Sequence, residues 1–435
     1  MSEKKHKERR RRERAKKEEP KVNKISDVKM AYIMYGKKVF VIPIVIAIIL
    51  GAVIWGIVYN ARKNNAPQEN ADNQKEQINY IWGEIKPGKR NTNNFTTVRS
   101  SDGVDVPVPT GYTESSASDE NSVNGGFVIY EGTEAVTDSN KWEAQCNRNQ
   151  YVWIPIADIS DMYWRDQTTG KKYGTYHFSD PDTRSYPYKI GYYSSKQTDH
   201  AREPQTIRAD RQSTTLTTYL NGMSREDFLM EMEIDFDKML NSVATYGGFY
   251  IGRYETGDLN QTTPVIKRMN SDLEGKQNWY TMWKKGRKLS KTSTGVQMMW
   301  GTQWEQTLKW LIDLGNKSIS EITLDSTKWG NYNGSSFTYY TDTLKNTERK
   351  ASGTNKRIPS GSYESANANN IYDLAGNVYE YTLESSDSGN GYYRWFRGGQ
   401  YYSSSNYYNK GAAAMRSGDA VTLLSYGFRC SLFIK

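Results

Sequence analysis

The stretch Asp373-Leu374-Ala375-Gly376-Asn377-Val378-Tyr379-Glu380-Tyr381 begins as a turn and ends as a strand. Gly376 takes a positive φ at no steric cost, and Asn377 tolerates one better than most residues. Past the turn, Val378 and Glu380 fall on one side of the extended chain. Asp373 and Glu380 are seven positions apart, too far to meet along a straight strand. If the turn folds back, their carboxylates converge with the carbonyls of Gly376 and Val378. Hard oxygen donors of that kind suit Ca²⁺.

Two further motifs follow, FRGGQ at 396–400 and GFRC at 427–430. Their glycines let backbones approach closely. Arg397 and Arg429 are expected to pair with buried carboxylates or carbonyls and to pin the last strands. Between the motifs runs QYYSSSNYYNKGAAAMRSGDAVTLLSY, residues 400–426. Tyr401, Tyr402, Ser404, Asn406, Tyr407 and Tyr408 have the composition of a recognition surface. Tyr buries large area at low rotamer cost, and Ser and Asn supply adaptable hydrogen bonds. With Arg416 they form the candidate ligand-binding set.

Working outward, the spacing predicts a helix over 225–246, capped by Ser224 with Asp227 three residues on. Phe228, Met232, Phe236, Met239, Leu240 and Val243 form its apolar face, and the methionines read as core filler. Gly247 and Gly248 stop it, and a strand is predicted over 249–256. A second helix is predicted over 303–314, with Thr302 and Glu305 as a capping box and Gly315 as its end. NQYVWIPIAD, 149–158, reads as a strand buried on both faces. VPVP (106–109) and GFVIY (126–130) read as shorter strands in a lead-in over 96–148. The polar stretch 161–213 reads as a long surface insertion.

In this order the segments resemble the formylglycine-generating (sulfatase-modifying factor) family over about 149–435. GGFYIGRYE resembles the family's early strand, and TQWEQTLKW its second-helix segment. The resemblance implies an α+β, C-type-lectin-like fold with short twisted strands and two main helices. It also implies a structural Ca²⁺ at Asp373, Gly376, Val378 and Glu380, with Asp373 in place of a residue that is often Asn. The catalytic members use a cysteine pair lying shortly before GFR. Counting back from Arg416 puts that pair at Tyr408 and Ala413, and no cysteine lies between Cys146 and Cys430. Neither Tyr nor Ala forms a thiolate, so no copper is expected. The stretch 400–426 also resembles the mutable segment of diversity-generating retroelement variable proteins, which share this fold. The sugar-binding triplets of calcium-dependent lectins are absent.

Other chemistry finds little material. Of the three histidines, His6 lies in the N-terminal tail, and His177 and His200 lie in the polar insertion. Two histidines do not build a His-rich iron site. No nucleophile-elbow pattern accompanies any Ser. Whether Cys146 and Cys430 form a disulfide is left open by the sequence.

The net charge of +9 belongs to one end of the chain. Residues 1–38 hold 15 Lys/Arg and 6 Asp/Glu, and the rest holds 43 of each sign. No nucleic-acid partner is expected for the folded part. Residues 39–59, VFVIPIVIAIILGAVIWGIVY, carry no charged side chain. At about 1.5 Å per residue they span the ~30 Å hydrocarbon core. Tyr59-Asn60-Ala61-Arg62 is a poor signal-cleavage site, which favours an uncleaved anchor. The basic tail then stays cytoplasmic, and a stalk over 60–95 carries the rest outside the cell. The expected function is ligand binding or display at the cell surface, to an extracellular protein or glycan. The rival readings are a formylglycine-generating-type oxidase and a structural envelope protein.

Overall fold

The structure, a computed structural model, describes residues 84–165, 172–174, 223–385, 393–403, 410–419 and 424–435, all within one compact unit that begins at residue 77. The basic tail, the segment 39–59, the stalk up to residue 83 and most of the insertion lie outside the described residues. Among the described residues no helix is long and apolar enough to cross a membrane.

The lead-in supplies β1 (Phe95–Arg99), β2 (Asp105–Pro109), β3 (Tyr112–Glu114), β4 (Val128–Glu131) and helix α1 (Lys141–Asn147). β5 (Gln150–Pro155) follows, then the hairpin β6 (Tyr163–Arg165) and β7 (Lys172–Gly174). The long helix α2 (Arg225–Tyr246) leads into β8 (Gly248–Gly252). Next come β9 (Gly275–Gln277), α3 (Trp279–Arg287), β10 (Thr294–Met298), α4 (Gly301–Asp313) and α5 (Ile319–Thr323). The C-terminal third holds β11 (Phe337–Tyr340), β12 (Thr347–Lys350), β13 (Asn367–Ala368), β14 (Ile371–Tyr372), β15 (Glu380–Ser385), β16 (Tyr393–Arg397), β17 (Met415–Asp419), β18 (Leu424–Phe428) and β19 (Cys430–Ile434).

Two sheets organise these elements. One runs β10-β19-β8-β5-β4-β3, so the lead-in and the C-terminal strand share a sheet. Its pairs are antiparallel, with Val152 opposite Ile251 and Ser431 opposite Ile251 from the other side. The other runs β17-β16-β15-β18-β9. There β15 and β18 pair in parallel, Glu380 opposite Gly427, which sets the first motif beside the third.

Helix α2 forms as its sequence predicts. The Ser224 hydroxyl accepts from Asp227 N at 3.0 Å, and Gly247 ends the helix at φ 84°. Phe228, Met232, Phe236, Met239, Leu240 and Val243 are all buried. Each such side chain contributes about 1.5–3 kcal/mol on leaving water. Phe228 meets Trp279, Tyr280 and Trp283 of α3 edge-on, and Phe236 packs on Trp300. β5 is buried on both faces, as its apolar run requires.

Two expectations are corrected. The second helix starts at Gly301, and its predicted capping box does not form. The Thr302 hydroxyl donates to Met162 O at 2.7 Å, and Gln303 Oε1 accepts from Trp300 N at 3.1 Å. The strand predicted over 249–256 ends at Gly252, because Arg253, Glu255 and Thr256 turn into buried polar contacts. The open question of a disulfide is answered: Cys146 and Cys430 are both free. Beyond the two predicted helices, α1, α3 and α5 are present.

Candidate functional site

The first motif folds back on itself. Asp373, Gly376 and Asn377 have φ values of 60°, 76° and 57°. Gly376 is obligatory here, because a Cβ would lie 2.3 Å from Asn331 O. The Asn377 side chain donates to Glu255 Oε2 at 2.7 Å and accepts from Ile358 N and the Asn331 amide. Val378 N donates to the other Glu255 oxygen at 3.0 Å. Glu255, the last residue of GGFYIGRYE, thus holds the turn from beneath.

Three buried carboxylates meet at this turn. Asp373 Oδ2 accepts from Ser360 Oγ and Gly361 N. Glu380 receives Arg429 Nη2 at 2.6 Å and Nε at 2.9 Å, while the remaining guanidinium donors go to Gly252 O and Tyr372 O. Burial pushes Glu380 up to about 7 and raises Asp373. Burial also lifts Glu255 well above the usual carboxylate range, with further contributions from Asp373 and Glu380. Arg253 and Arg268 are committed elsewhere, to Glu120 and Glu364.

This geometry bears on the calcium set. Asp373 Oδ1 is buried with no hydrogen-bond partner, and three carboxylates face the one Arg429 guanidinium. That oxygen is of the type Ca²⁺ prefers, yet among the described residues no three His, Cys, Asp or Glu side chains are grouped to hold a metal ion. Glu380 is bonded to Arg429 through both oxygens and has only remaining lone pairs to offer.

The second motif hangs on the same turn. Gly376 N donates to Gly398 O at 2.8 Å, and the Tyr332 hydroxyl donates to the same carbonyl at 2.7 Å. Tyr401 N donates to Asn377 O at 3.1 Å. Arg397 is fully buried between Glu305 at 2.8 Å and Glu384 at 2.9 Å. Both motif arginines therefore pair with buried carboxylates, as their motifs predict. Beside them Tyr379, Tyr381, Phe396 and Tyr426 form one aromatic cluster, with Phe396 and Tyr426 centroids 4.6 Å apart.

Of the predicted binding residues, Tyr401 and Tyr402 emerge from this framework. Their rings meet edge to face at 5.1 Å, and Tyr402 is 45% exposed. Arg416 takes the register position opposite Phe396 on β17. Ser404, Asn406, Tyr407 and Tyr408 lie outside the described residues. Ala413 is buried, its N–H donating to Ile322 O at 3.0 Å. Nothing in the motifs pointed to the neighbours of Tyr401. Arg357 and Glu274 form an ion pair at 2.7 Å whose charges both act on Tyr401. Asn333 N donates to Ser403 O, and its side chain donates to Asn355 Oδ1 at 2.7 Å. These residues come from three separate loops, and no local pattern joins them.

The fold is mixed α/β with few helices, closed at its C-terminal end by motifs that bury their own charges. Residues 323–432 match the family described as sulfatase-modifying factor enzyme 1-like domain. No curated protein matches the chain. Among solved structures, the crystal structure of CarF is similar at 16% sequence identity, covering 43% of this chain and 87% of that one with a TM-score of 0.25. A score that low bears no weight on fold or function.

Proposed function

We propose that the protein is a membrane-anchored ligand-binding or display protein, built on a sulfatase-modifying-factor domain without the catalytic cysteine pair. One observation carries this reading: Tyr402 stands 45% exposed against Tyr401, on a backbone held by the buried turn of the first motif. A rigid, amphipathic ring pair on a buttressed backbone loses little entropy on binding. The composition of 400–426 extends that surface with Ser, Asn and Tyr. The ligand is an extracellular protein or glycan. Residues 39–59 form the single membrane span, with the basic tail cytoplasmic and the C-terminal domain extracellular.

The loss of oxidase chemistry rests on residue types. The family's cysteine positions fall on Tyr408 and Ala413, and Ala413 is buried in backbone contact with α5. Cys430 is buried, with its thiol pushed up to about 12 by burial, so it stays protonated and unreactive. Ca²⁺ has a structural role in this reading. Asp373 and Glu380 would hold it through carboxylates, and Gly376 and Val378 through carbonyls, and its charge would offset the buried carboxylates of the turn. Ser360, Gly361 and Arg429 keep those two carboxylates oriented.

Protease protection on intact cells tests the topology, and incubation with a cysteine-containing sulfatase peptide tests the chemistry. Cleavage of the large domain from outside and no consumption of the peptide thiol are expected. Protection of the domain, or oxidation of the peptide cysteine, would overturn the proposal.

A further inference from the structure

We infer that the surface formed by Tyr401, Tyr402, Asn333, Asn355 and the Arg357–Glu274 pair takes a neutral carbohydrate. This rests on the binding role proposed above and narrows the ligand to one class.

The argument begins with charge. Arg357 and Glu274 are closed on each other at 2.7 Å, with side chains 32% and 15% exposed. The adjacent Lys356 is closed on Glu348 at 2.6 Å and lies 5.4 Å over the Tyr339 ring. Both cations of this segment therefore carry a carboxylate partner, and little net field remains to steer an anion. A phosphate, a sulfate or an acidic peptide would have to break a formed ion pair to bind. A neutral polyol need not. A closed guanidinium–carboxylate pair still has outward N–H donors and spare lone pairs. Neighbouring sugar hydroxyls, each donor and acceptor at once, match that mixture.

The rest of the surface has the same character. Asn333 and Asn355 join through their amides at an exposed position, leaving further donors and acceptors beside Ser403. Tyr402 is the only aromatic among the exposed large hydrophobic side chains of the described residues. Of the others, Met230 lies on α2, Ile319 on α5, and Val104, Leu314 and Leu344 in loops. A protein partner needs about 800 Å² per side with an apolar centre. Among the described residues the surface offers one exposed ring flanked by amides and a closed ion pair, which is the scale of a sugar ring, whose C–H face stacks on the negative face of an aromatic.

The test uses the purified full chain against immobilised neutral oligosaccharides: glucose-, galactose-, mannose- and N-acetylglucosamine-based tetramers. Sialylated and sulfated oligosaccharides serve as anionic comparators. Binding to a neutral member is expected, with affinity changing less than about twofold between about 0.05 and 0.5 M NaCl. Tyr402→Ala and Arg357→Ala should each weaken it about tenfold or more, while Tyr402→Phe retains it and both Tyr402 variants keep the wild-type melting temperature. Binding confined to the anionic comparators, with steep salt dependence, would overturn the inference. So would binding to an extracellular protein that needs Tyr402 while every glycan fails. That last result leaves the binding role standing. Loss of neither glycan nor protein binding in Tyr402→Ala would remove both.

Discussion

Arg429 Nη2 lies 2.6 Å from Glu380 Oε1, so the third motif closes on the first through a buried, two-bonded ion pair. The same guanidinium reaches Gly252 O and Tyr372 O and ties β8, β14 and β15 to the start of β19. Arg429 thereby joins the two large sheets at one point, and the turn that carries Tyr401 is fixed from behind.

Breaking this pair from either side should cost more than removing it whole. Arg429→Met and Glu380→Gln are each expected to destabilise by about 3–5 kcal/mol, because each strands a buried partner. The double variant should lose clearly less than the sum. Urea denaturation of the four proteins measures this, and additive losses would contradict the coupling.

Gly301 should not accept a side chain. A Cβ there would sit 1.8 Å from the Glu384 carboxylate, which is held by Arg397. Gly301→Ala is expected to displace that carboxylate and lower stability by about 2 kcal/mol or more. A melting temperature within a degree of wild type would show that Glu384 moves freely.

Asp235 on α2 gives stability a pH slope. Burial pushes its carboxyl up to about 6, against the pull of Arg287 at 3.4 Å. The folded state thus binds the proton more tightly than the unfolded chain does. Its contribution is fully present below the unfolded value near 4 and is lost as pH rises to about 6. Asp235→Asn should flatten that slope and gain up to about 2 kcal/mol at pH 7 relative to wild type. An unchanged slope in denaturation curves from pH 4 to 7 would refute it.

Calcium should raise the melting temperature through Asp373. The buried, partnerless Asp373 Oδ1 is the donor a cation would satisfy. Calorimetric titration of the full chain with Ca²⁺ is expected to show binding that Asp373→Ala abolishes. No heat and no thermal shift would end the calcium assignment.

Parts of this architecture are written locally and parts are not. Helix α2 is legible because its cap, its apolar stripe and its terminal glycines all lie within one stretch of chain. The turn at Gly376 is legible because its backbone needs residues that tolerate positive φ. The start of α4 is misread because Thr302 finds a better acceptor in Met162 O than in its own helix. Helix α3 is hidden because Lys284, Lys285, Gly286 and Arg287 interrupt the apolar spacing that Trp279 and Trp283 begin. The joining of Arg357, Glu274 and Tyr401 is wholly tertiary, and so is the support of Asn377 by Glu255. Residue type announces such groups only after the fold has brought them together.

The central claim is that the Tyr401–Tyr402 surface recognises a ligand, and one comparison tests it most directly. Binding of the full chain to the immobilised neutral oligosaccharides is measured beside the Tyr401→Ala/Tyr402→Ala double variant, with thermal melts of both. The expected result is loss of binding by at least about tenfold, or 1.4 kcal/mol, with the melting temperature kept. Equal binding by the two proteins would contradict it.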